Sequence, residues 1–343
     1  MILGVVGPAH YCDDEILRKN SSRDPDGRDA PVRELRKKLD SEGILMVHHE
    51  KTKPQDAWGY LFFDYQKKVL KDLLKIGYKG HLFLIILESS VVHPDNWFLQ
   101  NHRFFDVVFT WDMNVLQNLS QPRYVRYLLA NDLSLKASLV PFQEREKLCV
   151  MMAANKLKNR TGELYSERFR AIEWFKKNHP QDFDLYGPDW DRPIKKIAYK
   201  IRNIGRVFFN KAPRPTEIKP IYRGVAVSKR DVMSRYKFCL CYENARNLPG
   251  YITEKIFDCF LAGVIPVYLG WDRADLLIPR ETFIDKTKFA RYEDLYDYMK
   301  NISEDEYAHY IKMAQQFICS ESGRRFDVAS FAEIISSNLM DYR

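Results

Sequence analysis

The stretch that decides the fold runs Tyr236-Lys-Phe-Cys-Leu-Cys-Tyr-Glu-Asn244, Ala245-Arg-Asn-Leu-Pro-Gly250, Tyr251-Ile-Thr-Glu-Lys255 and Ile256-Phe-Asp-Cys-Phe-Leu-Ala-Gly-Val-Ile-Pro-Val-Tyr-Leu-Gly270. Its first seven residues form an apolar run of strand length that ends on two polar residues, Glu243 and Asn244. Pro249-Gly250 then turns the chain. Thr253 is placed to N-cap a helix, and Gly263 to end it, before a second apolar strand over 264–269. Open α/β sheets bind ligands at the carboxyl ends of their strands, facing helix N-termini. That location here collects Glu243, Asn244, Tyr251, Glu254 and Lys255. A lysine in a first helical turn opposes the helix dipole, so its presence among these polar groups points to an anion such as a phosphate.

Outward from this unit the same grammar repeats. Ile2–Val6, 43–48, His81–Glu88 and Val107–Thr110 read as strands, with helices over 31–39 and over 61–76. The second of these follows the spacing of Leu61, Tyr65, Val69, Leu73 and Ile76, with Gly77 as its stop. A second cycle begins with a strand over 148–154, a helix over 164–178 and a strand over 183–187. Helices over 304–317, N-capped by Ser303, and over 326–340 close the chain. The expectation is an α/β protein with two Rossmann-like domains facing each other across a cleft, residues 1–145 and residues 146–343, the second carrying the closing helices.

The 343 residues suffice for two cores, and a charged fraction of 29% against 45% hydrophobic argues against disorder. The formal charge of +8 suits an anionic partner. No nucleic-acid-binding motif accompanies it, so nucleic acid is not expected. Residues 195–219 hold eight Lys or Arg and one acidic residue, with Ile194, Ile197, Ile201, Ile204 and Phe208 at near-helical spacing. This reads as a surface helix packed on its own domain, with peripheral contact to an anionic membrane as the alternative. The six cysteines include no C-x-x-C pair and read as buried thiols of a reducing compartment. The first apolar run lacks the basic flank of a signal peptide, and no run reaches transmembrane length. The expected location is therefore cytoplasmic, with the inner face of a membrane as the peripheral variant.

The pattern Tyr-Lys-Phe, Glu-Asn, Tyr-Ile-Thr-Glu-Lys and Ala-Gly-Val-Ile-Pro-Val resembles the α1,3/α1,4-fucosyltransferases of glycosyltransferase family 10, most closely the bacterial type. The resemblance implies GT-B architecture, with residues 1–145 on the acceptor side and residues 146–343 binding the nucleotide sugar, a GDP-fucose donor, and transfer with inversion to a hydroxyl of an acceptor oligosaccharide carried on a glycolipid, lipopolysaccharide or glycoprotein. It places donor contacts at Asn244, Tyr251, Glu254 and Lys255, supported by Glu243 and Thr253. It also places a donor arginine at Arg168, with Arg170 as the competitor, and the general base at Glu88. No cofactor is required on this reading, although the family leaves stimulation by Mn2+ open. His93, Asn96 and Trp97 follow the base and are candidates for the acceptor, Trp97 equally for a loop anchor. Trp111-Asp112 is similarly two-sided. Three Asp-x-Asp pairs (Asp24/Asp26, Asp182/Asp184, Asp189/Asp191) do not follow a suitable strand, and no metal site is assigned. The rival readings are a transferase of the same frame with another nucleotide sugar, and a non-catalytic carbohydrate-binding protein. The loop 245–250 differs in length from some family members.

Overall fold

The computed structural model describes residues 1–17, 24–115, 122–134, 140–191 and 218–343; the basic stretch around 195–217 lies outside them. Strands β1 (Ile2–Val6), β2 (Leu45–His48), β3 (Ala57–Phe63), β4 (His81–Ile85), β5 (Val107–Thr110) and β6 (Arg123–Arg126) form one sheet in the order β2-β1-β3-β4-β5-β6. Strands β7 (Lys147–Met152), β8 (Phe183–Tyr186), β9 (Tyr236–Tyr242), β10 (Ile265–Leu269) and β11 (Ile284–Asp285) form a second, in the order β11-β10-β9-β7-β8. Every pairing is parallel. The apolar runs read from the sequence are apolar on both faces for this reason: Phe83 and Leu84 of β4 serve different cores on opposite faces of the sheet.

Helices α1 (Ala30–Ser41), α2 (Lys67–Lys75), α3 (Tyr165–Asn178), α4 (Lys229–Met233), α5 (Glu254–Ala262), α6 (Glu304–Cys319) and α7 (Val328–Met340) cover the sheets. The caps act as the sequence indicates. Thr253 accepts from the Lys255 amide, Gly263 takes the left-handed conformation (φ 64°), and Ser303 accepts from the Glu306 amide.

Two differences from the sequence reading matter. The helix expected over 61–76 is in fact strand β3, a turn at Asp64, and the shorter α2. Asp64 sits at φ 62°, a conformation a helix does not contain, and the spacing of Leu61 and Tyr65 across it mimics helical period. The last helix, read as part of the second domain, instead packs on the first: Phe331, Ala332, Ile335 and Leu339 share a core with Leu3, Val5 and Leu35. Its apolar stripe is long-range information that local patterning does not carry.

Candidate active site

The carboxyl ends of β4 and β5 face those of β7 and β9, and the polar residues singled out in the sequence gather in this cleft. Glu243, fully buried, follows β9. Its Oε1 accepts from the Thr253 amide (2.8 Å) and its Oε2 from the Thr253 hydroxyl (2.7 Å) and Lys255 Nζ (3.2 Å). Lys255 Nζ also reaches Thr253 Oγ1 (2.8 Å) and Glu254 (3.6 Å). Burial opposes the Lys255 charge, but Glu243 and Glu254 outweigh it and raise its pKa. Burial likewise works to raise Glu254; Lys255 and Lys229 prevail and hold its carboxyl down at about 2. Lysine in the first turn is therefore stabilised by a buried carboxylate, which offsets the dipole cost. The Thr253 and Lys255 amides are already hydrogen-bonded, so the helix end offers a ligand fewer free amides than the sequence suggests.

Arg168 is buried behind this cluster, one terminal nitrogen donating to Tyr242 O (2.6 Å), Glu243 O (2.9 Å) and Asn244 Oδ1 (3.0 Å). Arg170 is exposed and paired with Glu167, away from the cluster. Of the two arginines, Arg168 is the one in contact with Glu243 and Asn244. With Lys229, Asp258, Glu254 and Lys255 it lines a cavity of about 70 Å³. Tyr251 is buried, its hydroxyl 3.4 Å from Asn244 Nδ2 and its ring 4.6 Å from Trp111 of the opposite domain. The Tyr251 ring thus forms part of the contact between the domains. Gly250 beside it has φ 87°, and a Cβ there would lie 2.3 Å from Trp111 O.

Across the cleft, Glu88 follows β4. Burial raises its pKa, Asp64 adds to the rise, and Lys255 opposes it. Two of the acceptor candidates hold its backbone instead. Asn96 is fully buried and donates to Glu88 O (3.3 Å) and Asp64 Oδ1 (2.6 Å) while accepting from the Tyr65 amide (2.7 Å). Trp97 Nε1 donates to the same Glu88 carbonyl (3.1 Å). Asn96 is thus buried with every polar atom of its amide committed, and the Trp97 indole nitrogen helps to hold the Glu88 backbone. His93 is half-buried on the same loop. Trp111 Nε1 donates to Leu87 O (3.1 Å), which makes Trp111 a support of the same strand end.

With this geometry in place the comparisons are specific. Residues 195–331 match the family model "Glycosyltransferase family 10 (fucosyltransferase) C-term", a span that holds β9, α5 and the Tyr-Ile-Thr-Glu-Lys segment. This region is similar to the C-terminal domain of the glycosyltransferase family 10 fucosyltransferases. An α-(1,3)-fucosyltransferase of Helicobacter pylori is 32% identical over 150 residues, 39% of this chain and 30% of that protein. An α-(1,4)-fucosyltransferase of Arabidopsis thaliana is 35% identical over 77 residues, 22% and 19% of the two chains. The chain thus spans less than a third of these relatives. Among solved structures, Anabaena HepE in complex with UDP-glucose matches over 99% of both chains at 13% identity and TM-score 0.54. An α1,3-fucosyltransferase matches over 99% of this chain and 90% of its own at 16% identity and TM-score 0.51. These place the two parallel sheets in the GT-B architecture.

Outside the family 10 span the structure assigns the remaining motifs. Asp184 is buried between Lys147 (2.7 Å), Arg223 (2.7 Å) and the Tyr236 hydroxyl (2.6 Å), and Asp182 receives Tyr296 and Lys300. Asp24 caps a turn through the Arg28 and Asp29 amides, and Asp26 reaches across to the start of α4, taking Ser228 Oγ and the Lys229 amide at 2.9 Å each. Among the described residues no group of three or more His, Cys, Asp or Glu is placed to hold a metal ion, and no helix is long and apolar enough to cross a membrane. The sequence reading singles out neither Asp64 nor Lys229, and takes Asp26 only as half of an Asp-x-Asp pair. Lys229 was the findable one, since Ser228 is a capping residue three before Asp231, and the sequence shows that helix start.

Proposed function

We propose that the chain transfers L-fucose from GDP-fucose to a hydroxyl of a galactosyl-N-acetylglucosaminide glycan, in α1,3 or α1,4 linkage and with inversion. The observation that carries this reading is Glu88 opposite Lys255: a carboxyl with a raised pKa faces a cationic helix start across one cleft, and the two sense each other's charge. The family 10 match and the relatives' names supply the donor and acceptor classes.

In the step proposed, the acceptor oxygen attacks the anomeric carbon from the side of Glu88. The bond between that carbon and the diphosphate oxygen breaks, the acceptor proton passes to the Glu88 carboxylate, and GDP departs. Lys255 and Arg168 balance the charge that develops on the diphosphate. Glu254, held ionised, and Asn244 accept hydrogen bonds from fucose hydroxyls. The proposal needs no resident metal, because the chain's own cations meet the diphosphate; addition of Mn2+ or a chelator to the assay tests this. Cytoplasmic location and a membrane contact through 195–219 belong to the same proposal. Binding of the purified protein to anionic vesicles tests the latter.

The test is product structure. GDP-fucose and a galactosyl-N-acetylglucosaminide acceptor should yield an α-fucoside on a ring hydroxyl, identified by NMR. A β-fucoside would refute inversion, and absence of product with another donor active would refute the donor.

A further inference from the structure

The residue that best explains why Glu88 stands where it does is one the sequence concealed. We infer that Asp64 is the positioning residue of Glu88, its carboxylate fixing the backbone from which the base projects; the inference rests on the reading of Glu88 as the base.

Strand β4 ends at Ile85, so Leu87 and Glu88 lack strand partners. A loop in that state would let the base wander. Here each backbone group from Ile86 to Glu88 is tied. The Ile86 amide donates to Phe109 O (2.9 Å), and its carbonyl accepts from the Tyr127 hydroxyl (2.6 Å). The Leu87 and Glu88 carbonyls take Trp111 and Trp97 Nε1. Both remaining amides converge on one atom, Asp64 Oδ1, at 2.7 Å from Leu87 N and 3.0 Å from Glu88 N, where Asn96 Nδ2 also donates. Asp64 presents that oxygen only because its backbone turns left-handed while its own amide is pinned to Ile85 O (2.9 Å). Left-handed geometry is uncommon for a residue with a side chain, and Gly would turn the chain without the steric cost. What Asp adds is the acceptor.

Asp64 also places a negative charge beside the base. From its own domain Glu88 faces Asp64 and Tyr127; from the other it faces Lys156, Tyr165, Tyr251, Glu254 and Lys255. Asp64 in turn faces Tyr11, Tyr127 and His93. Of the anions facing Glu88, Asp64 acts on it most strongly. Removing the charge should make Glu88 easier to ionise.

Two substitutions separate the roles, because Asn and Gly both accept the left-handed backbone. Asp64→Asn keeps an oxygen for the two amides and removes the charge. Its kcat should stay within several-fold of wild type while the acid limb of kcat/KM moves to lower pH. Asp64→Gly removes the acceptor. Its kcat should fall about 100-fold, the scale of an ångström-sized misplacement of a catalytic group, with the donor KM and the thermal shift on GDP binding unchanged. Wild-type kcat in Asp64→Gly, or an unmoved acid limb in Asp64→Asn, would overturn the inference. Glu88→Gln is measured alongside. If it retains full rate, the base assignment itself is wrong; if it is inactive while Asp64→Gly is not, only the positioning role falls.

Discussion

Lys255 has two tasks in this structure, and one set of variants separates them. Its ammonium lies 3.2 Å from a carboxylate, Glu243, that has no solvent exposure. Replacement by Met removes the charge and leaves Glu243 with only the Thr253 amide and hydroxyl. Breaking a buried pair on one side costs about 3 kcal/mol, at the low end of its range because the Lys255 side chain keeps 23% of its exposure. In a chain of this size that lowers the unfolding midpoint by roughly 4 °C. If Lys255 also contacts the diphosphate, losing a charge-assisted hydrogen bond of about 2 kcal/mol weakens GDP about 30-fold. Adding Glu243→Gln removes the orphaned charge while keeping an oxygen for Thr253. The double variant should regain most of the midpoint and none of the GDP affinity. Thermal unfolding and calorimetric GDP titration read the two quantities separately. Recovery of both in the double variant would reduce Lys255 to a structural counter-ion, and an unchanged midpoint in the single variant would refute the reasoning from burial.

Further outcomes follow from the same geometry. Glu88→Gln should lower kcat by about 10²–10⁴, the usual worth of a general base, with GDP affinity intact by titration. Because burial raises the folded-state pKa of Glu88, its contribution to stability is fully present below its unfolded pKa and lost as pH rises through the folded one, so Glu88→Gln should raise the unfolding midpoint at neutral pH. Arg168→Ala should abolish GDP binding and destabilise by about 3 kcal/mol as two buried carbonyls and the half-buried Asn244 amide oxygen lose their donor, whereas Arg170→Ala should leave both within error. Glu254, held at about 2, should stabilise the fold above its unfolded pKa and lose that contribution only as pH falls toward 2; Lys229→Ala should bring the loss to higher pH, read by acid unfolding. Asn96→Ala should cut kcat without raising the donor KM, read by steady-state kinetics, because it loosens the Glu88 backbone and touches no donor residue.

The cluster around Glu243 and Lys255 was legible in the sequence because its residues are contiguous. Glu243 to Lys255 lie within thirteen residues, the helix start is announced by Thr253, and its end by Gly263. On the first domain's side of the cleft only Glu88 was singled out for catalysis. Asp64 was hidden by a coincidence of period: Leu61 and Tyr65 flank it at helical spacing although they belong to a strand and a turn. The anchoring of Glu88 by Asn96 and Trp97 could not be separated from acceptor binding, since a short polar loop after a base reads the same way for either role. Tyr251 and Trp111 meet across the cleft from residues far apart in the chain, and the return of α7 to the first sheet spans nearly the whole of it. Such contacts leave no trace in a local window.

The central claim is that the cleft holds GDP-fucose with Glu88 facing it, and a donor panel tests it most directly. Purified protein is given GDP-fucose, GDP-mannose, UDP-glucose and UDP-galactose with a mixed glycan acceptor pool, and nucleotide release is followed for wild type, Glu88→Gln and Lys255→Met. Release from GDP-fucose alone, lost in both variants, is the predicted result. Preference for a uridine diphosphate sugar, or undiminished release in Glu88→Gln, would contradict it.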